Sequence, residues 1–305
     1  MLQDWLDPSA PPSEPQKALT DRVLVANAFL IRSLDLLAQT ATVLGKDGDA
    51  AKYHAMATDA RADFAAEYVT YNGRLISDTQ TAYALAICFH LLSPHQLRRA
   101  GSRLAEIVRR NSFRVATGFA GTPFVCEALC LADHPDVAYA MLLNEKCPSW
   151  LYPVTLGATT VWERWDSMLP DGQVNPGEMT SFNHYAYGTV AKFMVERLAG
   201  LRRLQPGWKR TRVQPKVEGP FTWAKAEHLT PYGMVSSSWV LTELADDNTR
   251  VLQIEVVVPP TTEMEVVIPG VDGNRTEIVG SGKWSFTTAH LKRKTWPVKP
   301  IGFFG

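Results

Sequence analysis

The hydrophobic period of this chain changes once, near Gly207, and that change limits the folds open to it. Before it, apolar residues recur at helical spacing; after it, they alternate residue by residue. Thr20 is placed to cap a first helix with the stripe Val23, Leu30, Leu34, Leu37, Ala41 and Leu44, and Gly45 ends it. A second helix from about Asp49 carries Tyr53, Ala57, Ala60, Phe64 and Tyr68 on one face, and Asn72-Gly73 makes a turn. Asp78 is placed to cap a third helix over 79–92, and others cover 94–111, 122–131, 134–143 and 182–198, the last closed by Gly200. Seven helices joined by short loops form antiparallel hairpins.

Beyond Gly207, Leu252, Ile254, Val256 and Val258 alternate with Gln253 and Glu255, and Met264, Val266 and Ile268 alternate with Glu263 and Glu265. Trp239, Trp284 and Phe286 sit in similar runs, broken by Pro-Pro, Pro-Gly and Gly-Ser-Gly. The expected architecture is mainly α plus a β module. Residues 1–206 form the helical part, and residues 207–305 form a small antiparallel β-sandwich.

Net charge is zero, so composition offers no electrostatic case for nucleic acid or an anionic membrane. No apolar run approaches the ~20 residues of a membrane span, and the first residues lack the basic and apolar regions of a signal peptide. Cys88, Cys126, Cys130 and Cys147 do not stand at metal-ligand spacing, so they read as reduced, buried thiols, with no cofactor or metal expected. Lys292-Arg293-Lys294 reads as a solvated charged face.

Tryptophan is concentrated where the chemistry gathers. Trp162-Glu163-Arg164-Trp165-Asp166 sets a carboxylate between two indoles, and Ser181-Phe182-Asn183-His184-Tyr185 follows after a short loop. A sugar presents a C–H face to aromatic rings and needs proton transfer at its glycosidic bond, so this pattern suits carbohydrate chemistry. Thr159, Thr160 and Val161 favour extended backbone, with Glu163 and Trp165 on one side and Trp162, Arg164 and Asp166 on the other. Glu163 is then either a general base or acid, or the partner of a cation such as Arg164. His184 either bonds a sugar hydroxyl or caps and packs. Asp4 and Trp5 form an acid–aromatic pair in a proline-rich opening loop, and Thr117-Gly-Phe-Ala-Gly-Thr122 reads as a helix-linking turn.

Thr-Gly-Phe-Ala-Gly-Thr at 117–122, Pro-Ser-Trp-Leu-Tyr at 148–152, Gly-Ala-Thr-Thr-Val-Trp-Glu-Arg-Trp-Asp at 157–166 and Ser-Phe-Asn-His-Tyr-Ala-Tyr-Gly at 181–188 stand in one order. Together they resemble the bacterial-type α-L-rhamnosidases over nearly the whole chain. That resemblance implies part of an (α/α)6 six-hairpin barrel, here about seven helices, followed by a small β-sandwich. It also implies inverting hydrolysis of terminal α-L-rhamnose from a glycoside. Glu163 matches the general base, His184 a sugar contact, Trp162 and Trp5 aromatic lining, and Asp4-Trp-Leu a stretch at the barrel mouth.

The family's general acid lies upstream of that Asp-Trp-Leu stretch, and nothing of it stands before Asp4 here. The expectation is the C-terminal half of such an enzyme, with little activity alone and with helix faces left open for self-association. Asp166 then orients the loop, and Asp4, Asp7 and Asp166 are the carboxylates that could stand in for the acid. A non-catalytic sugar-binding chain and a different six-hairpin glycosidase are the other two readings.

Overall fold

The computed structural model describes residues 3–11, 13–243, 249–270, 273–292 and 296–302. The side chains of Lys292-Arg293-Lys294 lie outside the described residues. The chain divides into two compact units, residues 1–189 with 299–305, and residues 190–298.

In the first unit, α1 (Arg22–Val43) and α2 (Asp47–Tyr68) form a hairpin across Gly45, which takes φ +66°. The ion pair Arg61 Nη2–Asp35 Oδ2 at 2.8 Å joins the two helices. Helix α2 buries Ala57, Phe64 and Tyr68 as its periodicity requires. In α1 the buried residues are Leu24, Val25, Ala28, Ile31, Leu34 and Ala41, while Val23, Leu30, Leu37 and Leu44 of the expected stripe are exposed. The reason is composition: α1 is apolar around most of its circumference, so spacing alone does not select a face. By length and composition it could also cross a membrane, contrary to the expectation from apolar runs. The Asp35–Arg61 pair falls at its middle, where a hydrocarbon environment is costly for charge.

Helix α3 (Gln80–Cys88) is buried from Gln80 to Ile87 and forms the centre of this unit. Helix α4 (Pro94–Arg110) starts with a full capping box, Ser93 and Gln96 bonding each other's backbone N–H. Helices α5 (Thr122–Leu131), α6 (Pro135–Leu142) and the short α7 (Leu151–Thr155) follow. Phe29, Phe89 and Phe124 meet edge to face at 4.9–6.3 Å between α1, the end of α3 and α5. Cys126 and Cys130 are buried, whereas Cys88 and Cys147 are half-buried. The cap of α1 is Asp21, whose carboxylate accepts from Val23 and Leu24; the expected cap, Thr20, instead bonds Thr79 through its hydroxyl. The single helix expected over 182–198 begins at Ala186. It changes from 3₁₀ (Ala186–Thr189) to a short α8 (Val190–Phe193) and a π segment (Met194–Leu198).

The second unit holds two four-stranded sheets. One has the order β1 (Leu201–Arg203), β2 (Arg210–Val213), β6 (Glu263–Ile268), β7 (Arg275–Val279). The other has the order β3 (Trp223–Thr230), β4 (Gly233–Glu243), β5 (Thr249–Val258), β8 (Gly282–Lys292). Leu252, Ile254, Val256, Val258, Met264, Val266 and Ile268 are all buried, as their alternation requires. Trp239 on β4 is buried, and its indole N–H donates to the Leu198 carbonyl at 2.8 Å. The pairing is not purely antiparallel: β2 and β6 run parallel, with Arg212 salt-bridged to Glu265 on the adjacent strand.

Asp78 is not the cap of α3. The Thr79 hydroxyl accepts from Ala82 N–H, and Asp78 receives a two-pronged bond from Arg103 of α4 and one from the Tyr83 hydroxyl. The Arg103 bonds hold the Asp78 carboxyl down at about 2. A depressed folded pKa stabilises above the ordinary carboxylate range and loses that contribution as pH falls toward 2. Acidification from pH 4 to pH 2 is therefore expected to cost the helical unit about 2 kcal/mol through this group. Thermal melts across that range should show this loss in the parent chain and its removal in Asp78→Asn.

Candidate active site

The proline-rich opening segment is held by the turn at 117–122. Asp4 has no exposed surface. One carboxylate oxygen accepts from the Ala120 and Gly121 N–H groups, both at 3.0 Å, and the other from Gly118 N–H at 2.9 Å and the Thr81 hydroxyl. The remaining N–H of the turn, that of Phe119, donates to the Trp5 carbonyl at 2.8 Å. Four consecutive amides therefore converge on residues 4 and 5, forming an anion-binding concavity at the start of α5. A Cβ at Gly118 would stand 2.3 Å from the Trp5 carbonyl oxygen, so the close approach requires glycine. The Thr-Gly-Phe-Ala-Gly-Thr stretch thus links helices as expected, and it also clamps a carboxylate. Its paired glycines were the signal for that second role.

The second half of the site comes from two segments laced by backbone bonds. Glu163 N–H donates to the Ser181 carbonyl and His184 N–H to the Val161 carbonyl, each at 2.8 Å. Ser181 N–H returns a bond to Glu163 Oε2 at 3.2 Å. The segment 159–166 is bent, not a strand, and Trp162, Arg164 and Trp165 are all buried. The expected alternation of sides therefore fails, because the bends at Glu163 and Arg164 break the two-residue period. Arg164 is paired with Asp166 at 3.1 Å, and Asp166 also accepts from Asn175 at 2.9 Å. Arg164 is thus committed away from Glu163, whose half-buried carboxylate has no ion-pair partner among the described residues.

Aromatic rings fill the space behind. Trp165 stacks on Tyr187 at 3.9 Å, Trp150 meets Trp165 edge-on at 5.5 Å, and Trp150 Nε1 donates to the Tyr187 carbonyl. Phe119 stacks on His184 at 5.0 Å and meets Tyr187 edge-on. His184 Nδ1 accepts from Ala186 N–H at 3.3 Å, so the neutral ring carries its proton on Nε2. Trp162 is buried with Phe182 edge-on at 5.2 Å, and Trp5 is half-buried.

The structure thus pairs the backbone segments that carry Glu163 and His184 and ties Trp5 to Phe119. Asp4 offers no oxygen to a sugar, since it is enclosed and its carboxylate is saturated with donors. Phe119 and Tyr187, which sequence reasoning passed over, connect the two halves. Among the described residues, no group of three His, Cys, Asp or Glu side chains could hold a metal ion. A cavity of about 250 Å³ lies between Asp7, Pro11, Cys147, Arg164, Trp165 and Asp166, and burial, with Asp166 adding to it, pushes the Cys147 thiol up to about 12.

Burial raises the Asp4 carboxyl to about 6, against the opposing pull of its bonds from Thr81 and Gly118. A raised folded pKa gives stability that is present below the ordinary carboxylate pKa and lost as pH rises through 6. Between pH 4 and pH 6 this contribution should fall by about 2 kcal/mol, and the slope should vanish in Asp4→Asn. Chemical denaturation at fixed pH steps measures it.

A family model described as the bacterial alpha-L-rhamnosidase 6 hairpin glycosidase domain matches residues 1–198, and one for the bacterial alpha-L-rhamnosidase C-terminal domain matches residues 200–283. An alpha-L-rhamnosidase of Formosa agariphila is 40% identical over 87% of this chain, and one of Streptomyces avermitilis is 37% identical over 90%. The chain spans 28% and 25% of the length of these relatives. Among solved structures, native rhamnosidase from Aspergillus terreus has 40% identity and a TM-score of 0.89, covering 94% of this chain and 33% of that one. The Streptomyces avermitilis enzyme complexed with L-rhamnose has 35% identity and a TM-score of 0.84, covering 93% of this chain and 28% of that one. With the six-hairpin match alone spanning more than half of its residues, this chain belongs to the bacterial α-L-rhamnosidase family.

Proposed function

We propose that this chain carries the base side of an inverting α-L-rhamnosidase site, acting on glycosides with terminal α-L-rhamnose. One observation carries the reading: the backbone lacing of 161–163 to 181–184 sets the Glu163 carboxylate, with no ion-pair partner among the described residues, beside the His184 segment. The rhamnose complex of the Streptomyces avermitilis relative supports the sugar assignment.

In this reading Glu163 takes a proton from water as the water attacks the anomeric carbon. The glycosidic C–O bond breaks on the opposite face, and an acid protonates the departing oxygen. His184 Nε2–H donates to a sugar hydroxyl, Trp5 supplies a ring surface, and Trp162 backs the Glu163 loop from within. No cofactor takes part. Every residue given a role precedes Gly207, so the catalytic portion is assigned to 1–206 and the β-domain to 207–305.

The acid is not among the nearby carboxylates. Asp4 is enclosed, Asp7 is buried with its oxygens bonded to Ser9 and Leu19, and Asp166 is held by Arg164 and Asn175. Binding of L-rhamnose with little turnover is therefore expected of this chain. Release of p-nitrophenol from its α-L-rhamnoside should be slow, and Glu163→Gln should reduce what remains by ~10²–10⁴-fold in kcat. Brisk turnover that survives Glu163→Gln would sink the assignment. Binding in calorimetry with no turnover at all favours a purely sugar-binding role. Self-association through the exposed Leu30, Leu37, Val43 and Leu44 of α1 is part of the same proposal, and sedimentation should give a mass above that of one chain.

A further inference from the structure

We infer that Asp4 is a positioning residue for His184, acting through Phe119; the inference rests on the site proposed above. The four amides of 118–121 are turned toward residues 4 and 5, three of them onto the Asp4 carboxylate and that of Phe119 onto the Trp5 carbonyl. With the backbone so held, the Phe119 side chain lies over His184, with ring centroids 5.0 Å apart and planes within 23°.

The circuit closes on itself. Phe119 meets Tyr187 edge-on at 5.3 Å, and the Tyr187 hydroxyl donates to the Leu6 carbonyl at 3.1 Å, two residues from Asp4. His184 is thereby fixed on three sides. Its ring face rests on Phe119, its Nδ1 is tied to Ala186 N–H, and its own backbone N–H is tied to Val161. What is left to meet a ligand is Nε2–H, and its direction depends on the ring plane that Phe119 sets together with Tyr185, which stacks on the same imidazole at 5.2 Å.

Neutral amide at Asp4 breaks this arrangement without removing volume. In Asp4→Asn one oxygen becomes an NH₂ group, which faces the Gly118 N–H donor instead of accepting from it. The turn must shift, and Phe119 with it.

The test follows the His184 imidazole proton resonances by NMR in the full chain, together with L-rhamnose affinity by calorimetry. Asp4→Asn is expected to remove the ring-current shift that Phe119 imposes on His184 and to weaken L-rhamnose binding about tenfold. Thr81→Val removes one donor to the Asp4 carboxylate, keeps the Phe119 ring and should move both readouts in the same direction, which covers the case in which Asp4→Asn does not fold. Unmoved His184 resonances in either folded variant would overturn the inference, as would moved resonances with unchanged affinity. If the parent chain binds no L-rhamnose, the functional reading fails separately, and the His184 resonances alone decide whether Asp4 sets the ring.

Discussion

A buried carboxylate in a ring of backbone amides is the interaction on which the candidate site depends. Asp4 sits 114 residues from Gly118, and the bond between them joins the opening segment to the start of α5. Burying a carboxylate is costly, and three amides with one hydroxyl offset that cost by replacing its water. The helix that begins at Thr122 adds a favourable field, because the amides at its N-terminus point at the charge. Remove the carboxylate, and Trp5, Phe119 and Tyr187 lose their common anchor.

The other half of the site is built on a different principle. Here the backbone of 161–163 pairs with 181–184, and among the described residues Glu163 has no ion-pair partner. Arg164, next in sequence, turns to Asp166, which Asn175 also holds. The stack of Trp165 on Tyr187, with Trp150 across it, closes the space behind these segments.

Some of this was legible in the chain itself. The alternation of Leu252, Ile254, Val256 and Val258 gave the buried face of β5, since only one register of a strand puts all four inside. The Ser93–Gln96 capping box began α4 within a residue of its expected start. Period failed where hydrophobicity was too uniform or the backbone bent. In α1 nearly every face is apolar, so the stripe through Val23, Leu30 and Leu37 named the wrong one. At 162–165 the bends place Trp162 and Trp165 both inside, though three residues apart on a supposed strand.

By itself the sequence determined the two-part architecture, the position of Glu163 and His184 in neighbouring segments, and through four ordered motifs the family. These are properties of local spacing and residue type. Only the tertiary structure decided what Asp4 and Asp78 do. Asp4 was expected to contact the sugar at the barrel mouth and is an internal clamp, while Asp78 looked like a helix cap and is an ion-pair partner of Arg103. The physical reason is the same in each case: a charged side chain takes the partner that folding brings nearest, and Gly118 and Arg103 lie 114 and 25 residues away along the chain.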